Sequence, residues 1–109
     1  MIYFDKSNIH GRGVFSKVEI LKDTLIEKIP YLEVKREKIV DENLNKYTFG
    51  ISKESVCIMF SYSSLINHSD TPNCVIRKNE EVKILELYSL IDIDKNEELT
   101  IKYGEDVSF

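Results

Sequence analysis

The sequence predicts a mostly β domain made of small curved sheets, with one or two short helices. Three observations carry this. Short runs of β-branched and aromatic residues recur along the whole chain. Turn-forming residues part them every few positions. Only residues 35–46 place charges between apolar residues, here Ile39, Val40 and Leu44, in a way that suits a helix.

Taken in order, Ile2-Tyr3-Phe4 opens a strand. His10-Gly11-Arg12-Gly13 reads as a glycine-punctuated loop leading into Val14-Phe15. Residues 24–29 form a strand that Pro30 ends, because proline has no N–H for the ladder. Residues 31–34 alternate with period 2, and residues 55–60 form another strand. A polar, turn-rich stretch covers 67–73. Residues 74–77 and 82–88 pair as a hairpin through Lys78-Asn79-Glu80-Glu81. The last strand is 99–103, closed by Gly104, for six to eight strands in all. Residues 18–26 echo residues 91–101: an apolar pair, a Lys-Asp or Lys-Asn turn, then a strand.

With 109 residues the chain is one domain. Hydrophobic residues make up 42% and charged residues 31%, a globular composition. A net charge of −4 argues against a general nucleic-acid binder, which shows a basic footprint. Apolar runs fall far short of the roughly 20 residues that span a bilayer, and no signal peptide is visible, so no membrane role is expected. Cys57 and Cys74 form neither a disulfide framework nor a zinc-ligand cluster. An intracellular, reducing compartment and no metal are the expectations.

Three segments carry candidate chemistry. The glycines of Gly11-Arg12-Gly13 allow a ligand close to the backbone, although a plain turn satisfies the same residues. Residues 64–74 hold the densest polar cluster, Asn67-His68-Ser69-Asp70-Thr71-Pro72-Asn73, whose side chains can brace an irregular loop. A Ser-His-Asp triad within it fails, because consecutive side chains on an extended chain point to opposite faces. The third is Glu98-Leu99-Thr100-Ile101-Lys102-Tyr103-Gly104, a strand with a terminal aromatic.

In this order and combination the three segments resemble the SET domain of protein-lysine methyltransferases, of the short viral and bacterial type. The resemblance runs from about Gly11 to Gly104 and makes residues 1–109 a single SET domain without zinc segments on either side. It implies a β-clip fold with a C-terminal pseudoknot that brings Tyr103 beside Asn67 and His68. It implies S-adenosylmethionine as cofactor, held by Gly11, Arg12, Gly13, Asn67, His68 and Tyr103. Tyr103 matches the catalytic tyrosine, and Tyr47 and Phe49 match the aromatic segment that lines the lysine channel. The partner implied is a protein with a target lysine, such as a histone or other basic tail, and short viral relatives imply a homodimer. Two residues depart from the common pattern: Leu65-Ile66 stands for Arg-Phe, and Lys102 stands for Asp. Closing the channel falls to residues 105–109 or to a second subunit. The competing reading is a SET-like interaction module that has lost catalysis.

Overall fold

The computed structural model describes residues 1–104. In chain order its strands are β1 (Ile2–Lys6), β2 (Arg12–Ser16), β3 (Leu25–Ile29), β4 (Tyr31–Lys35), β5 (Thr48–Gly50), β6 (Ser55–Met59), β7 (Asn67–His68), β8 (Cys74–Asn79), β9 (Ile84–Ser89) and β10 (Glu98–Ile101). They form three small sheets, ordered β1-β2-β10-β7, β3-β9-β8 and β4-β6-β5. Every pairing is antiparallel except β10 with β7, which is parallel. No helix among the described residues is long and apolar enough to cross a membrane.

The sheets share one core. β9 shows why: its residues alternate between half-buried and buried, so Leu85 and Leu87 point inward. They join Val14, Ile29, Ile66 and Leu99, all fully buried. Each such side chain contributes about 1.5–3 kcal/mol by leaving water. Pro30 does end β3, and β4 starts at the next residue.

Several expectations need correction. Residues 35–46 do not form one helix. They form a single 3-10 turn at Arg36–Lys38 and a four-residue helix α1 at Glu42–Asn45. Between them Ile39 is extended, and the Asp41 side chain caps α1 by accepting from the Asn43 and Leu44 N–H groups. Val40 is 88% exposed, so the apolar spacing meets no core to bury it and nothing rewards a longer helix. The β8–β9 turn lies later than expected, because Asn79 accepts from the Glu81 N–H and Lys83 takes a φ of +54°. Val82 therefore sits in the turn, exposed, rather than in a strand. Gly13 belongs to β2 rather than to the loop before it, and Tyr103 lies just past β10. The short strands β5 and β7 had no alternating run to announce them, which is why ten strands are found.

The internal echo has a structural counterpart. Ile20 and Ile93 pair with each other through two backbone hydrogen bonds of 2.8 and 2.7 Å. Asp23 and Asn96, the turn residues that follow, both take positive φ, at 63° and 67°. The strands β3 and β10 then begin from matching turns.

Both cysteines are buried, and burial pushes the Cys57 thiol up to about 11 and the Cys74 thiol up to about 12 from an ordinary 9.0. Above pH 9 the unfolded chain therefore binds fewer protons than the folded one, and stability falls as pH rises. Denaturant midpoints should drop between pH 9 and 11, and the drop should be shallower once both cysteines are replaced by alanine. A thiol reagent should label neither cysteine at pH 7.5 without denaturant; rapid labelling of the folded chain would contradict their burial.

Candidate active site

The site is organised around β10, which is held along both edges. On one side Thr100 and Ile101 lie opposite Asn67 and His68, and the Ser69 N–H donates to the Ile101 carbonyl at 2.9 Å. On the other, the Asn73 side chain bridges the strand. Its Oδ1 accepts the Thr100 N–H at 2.8 Å and its Nδ2 donates to the Glu98 carbonyl at 2.9 Å. The 67–73 loop thus closes around β10, which is the pseudoknot expected of the fold.

This crossing delivers Tyr103 to the Asn67-His68 segment. The Tyr103 N–H donates to His68 Nδ1 at 2.8 Å. Nδ1 is therefore an acceptor, and the proton of the neutral ring belongs on Nε2, which faces Asp70 Oδ1 at 3.0 Å. The Tyr103 hydroxyl donates to the Ile66 carbonyl. The tyrosine ring lies 5.3 Å from the His68 ring and meets Phe49 edge to face at 6.0 Å. Burial, and then the Glu98 carboxylate, raise the phenol pKa, so the hydroxyl keeps its proton.

Tyr103 stands between two cavities. A groove of about 800 Å³ is lined by Gly11, Arg12, Tyr47, Asn67, His68 and Tyr103. A second cleft of about 420 Å³ is lined by Phe49, Pro72, Cys74, Ile76 and Leu90, again with Tyr103. Lys46 borders both. Of the residues read from sequence, Gly11, Arg12, Asn67, His68 and Tyr103 gather at the groove. The two aromatics separate. Tyr47 follows α1, outside any strand, and lines the groove, whereas Phe49 in β5 lines the cleft.

The glycines differ in what they do. Gly11 has φ +48°, a conformation that L side chains strain to adopt, at the turn of the groove loop. Gly13 lines neither cavity. A Cβ there would fall 2.4 Å from Glu98 Oε2, so this glycine makes room for a carboxylate. Asn67 is 7% exposed, and its Nδ2 lies between 2.9 and 3.1 Å from Ser7 Oγ, the His10 and Arg12 carbonyls and Glu98 Oε2. Two hydrogens are shared among four oxygens, which ties the groove loop to β7 and β10. Sequence reasoning assigned no role to Ser7, Glu98 or Lys46. Glu98 stood inside the last motif; Ser7 carried no signal beyond lying in a polar loop. The segment 105–109, which with a second subunit is one of two candidates to close the channel, lies outside the described residues.

Comparison with known proteins decides the family. The SET domain model matches residues 11–104. The chain belongs to the SET-domain family. A Schizosaccharomyces pombe histone-lysine N-methyltransferase specific for H3 lysine-37 is 33% identical over 91% of this chain and 70% of its own length. Histone-lysine N-methyltransferase 2D of Homo sapiens is 35% identical over 96% of this chain, which spans only 2% of that protein. Among solved structures, a Plasmodium falciparum candidate histone methyltransferase superposes with a TM-score of 0.77 at 32% identity, covering 96% of this chain and 98% of that one. A Polycomb Repressive Complex 2 structure from Chaetomium thermophilum, 19% identical with a TM-score of 0.81 over 98% of this chain and 15% of its own, shares the fold.

The SET crossing depends on Asn73, which is buried. Asn73→Ala strands the Thr100 N–H and the Glu98 carbonyl, each costing about 1–3 kcal/mol when buried without a partner. Denaturant unfolding should show a loss of at least about 2 kcal/mol. A change below about 0.5 kcal/mol, the range of ordinary surface substitutions, would show that the clamp contributes nothing.

Proposed function

We propose that this SET domain is an S-adenosylmethionine-dependent protein-lysine N-methyltransferase acting on a histone or similar basic tail. One observation carries the reading: Tyr103 forms a wall common to two cavities, a groove lined by Gly11, Arg12, Asn67 and His68 and a cleft edged by Phe49. A transfer between two separate ligands needs such a shared wall, since the reacting atoms must meet in line.

The groove suits the cofactor. Its volume falls within the range of small-molecule sites, and it offers backbone groups, the Asn67 amide and the Arg12 guanidinium to a ligand that carries both an amine and a carboxylate. When bound, S-adenosylmethionine supplies a methyl group on a cationic sulfonium. Gly11 and Arg12 give the loop that approaches the ligand, Asn67 holds it by its side chain, and His68, whose ring nitrogens are taken by Tyr103 and Asp70, holds it by its backbone. Every hydrogen bond of the Asn67 side chain among the described residues runs through Nδ2, so Oδ1 serves as acceptor for the ligand.

The cleft suits the alkyl stem of a lysine, with Phe49 as an aromatic edge. Tyr103 then works without ionising. Its hydroxyl donates to the Ile66 carbonyl, which leaves the phenol oxygen's lone pairs to accept from the substrate amine. A phenol held above its ordinary pKa is no general base at neutral pH. Its part is alignment, and the substrate amine gives its proton to solvent before transfer, its pKa lowered by desolvation and the nearby positive charge. Rate should therefore rise with pH through the lysine, with no limb from Tyr103.

The histone class rests on the relatives' named activities and on the chain's net charge of −4, which attracts basic tails. An intracellular location and a homodimer belong to the same reading, the dimer on resemblance to short viral SET proteins alone.

Radiolabelled methyl transfer to recombinant histones tests the reading. Tyr103→Phe should lower turnover by about tenfold to a hundredfold, one or two hydrogen bonds' worth of transition-state stabilisation. Its cofactor affinity should stay nearly intact. Asn67→Ala should instead weaken cofactor binding by about tenfold, read by calorimetry. No labelling and no cofactor binding by the wild type would leave the interaction-module reading in its place.

A further inference from the structure

We infer that Glu98 is a positioning residue for the cofactor groove: its carboxylate, lodged against Gly13, fixes the 7–12 loop and Asn67 in the arrangement that receives the ligand. The inference rests on the methyltransferase reading of the groove.

Glu98 opens β10 and does not itself line the groove. Its two carboxylate oxygens accept from Ser7 Oγ at 2.7 and 3.0 Å, and Oε2 also accepts from Asn67 Nδ2 at 2.9 Å. Ser7 passes the constraint on. Its Oγ accepts from the Ile9 N–H at 2.9 Å and the His10 N–H at 3.3 Å, and its own N–H donates to the Gly11 carbonyl at 2.8 Å. Asn67 Nδ2 reaches the His10 and Arg12 carbonyls from the other side. One carboxylate therefore stands behind every residue of the loop wall, namely Ile9, His10, Gly11 and Arg12.

Gly13 belongs to the same device. The space a Cβ would take is filled by the Glu98 carboxylate, with Oε2 at 2.4 Å and Cδ at 2.8 Å. A side chain here would displace the carboxylate and crowd Ser7 Cβ at 3.1 Å, whereas Gly13 lines neither cavity and does not take a left-handed φ. No Lys or Arg pairs with Glu98 among the described residues; its partners are a hydroxyl and an amide. Such a charge-assisted arrangement is directional and holds geometry rather than merely attracting charge.

The consequence is a split between binding and turnover. Without the carboxylate the loop and Asn67 lose their common anchor, while Tyr103 keeps its bonds to His68 and Ile66. Cofactor KM should rise and kcat should follow little.

The experiment compares wild type, Glu98→Gln, Glu98→Ala, Gly13→Ala and the double variant Gly13→Ala/Glu98→Ala. S-adenosylmethionine affinity is read by calorimetry, kcat and KM by methyl transfer, and folding by thermal melting. Glu98→Ala should weaken cofactor binding by about tenfold or more, as for a lost hydrogen bond to a charged group. Glu98→Gln, which retains an acceptor oxygen for Ser7 and Asn67, should recover most of the affinity. Gly13→Ala should weaken binding like Glu98→Ala, and the double variant should be no worse than the worse single one. Unchanged cofactor affinity in Glu98→Ala, or a melting shift with kcat and KM both intact, overturns the inference and leaves the methyltransferase reading standing. Strictly additive losses in the double variant also overturn it. A wild type that binds no cofactor overturns the methyltransferase reading, and the inference falls with it.

Discussion

The passage of β10 through the 67–73 loop is the constraint on which the rest depends. A strand inserted between an antiparallel neighbour, β2, and a two-residue parallel one, β7, has few regular ladder bonds of its own. Buried backbone groups left unpaired cost about 1–3 kcal/mol each, so side chains must complete the accounting. Asn73 does so at Glu98 and Thr100, and His68 adds a bond to the N–H of the more exposed Tyr103. A polar, turn-rich sequence is therefore what the crossing requires: Asn and His offer backbone-like donors and acceptors where no strand can run. The same bonds that close the knot place Tyr103 at the meeting of two cavities.

That placement also sets the electrostatics. The Tyr103 N–H fixes His68 as an acceptor at Nδ1 and leaves its other nitrogen facing Asp70. Burial and the Glu98 charge keep the phenol protonated. Glu98 in turn is held by Ser7 and Asn67 and housed by Gly13. Fold and site share these residues.

Much of this was legible in the sequence. Strands with β-branched runs and clear stops, such as β3 before Pro30, were readable because period and punctuation are local. So was the gathering of Gly11, Arg12, Asn67, His68 and Tyr103, through three ordered motifs. What escaped was set by distant partners. β5 and β7 are three and two residues long and exist because β6 and β10 offer them an edge. The helix expected at 35–46 broke up because its apolar positions have no core to face and Asp41 caps a new start. Glycine at position 13 advertised a ligand loop, yet its neighbour is a side chain 85 positions on. Tyr47 and Phe49 looked like one aromatic pair, and the turn after α1 sends them to different cavities.

Residue-resolved hydrogen exchange on the free protein tests the crossing most directly. The amides of Ser69, Thr100 and Tyr103 donate to Ile101, Asn73 and His68 respectively, all across the knot. The account expects these three to be protected as strongly as the amides of the central strand β9, because they open only when the knot opens. Exchange of Ser69 and Tyr103 at free-chain rates, with β9 still protected, would contradict it.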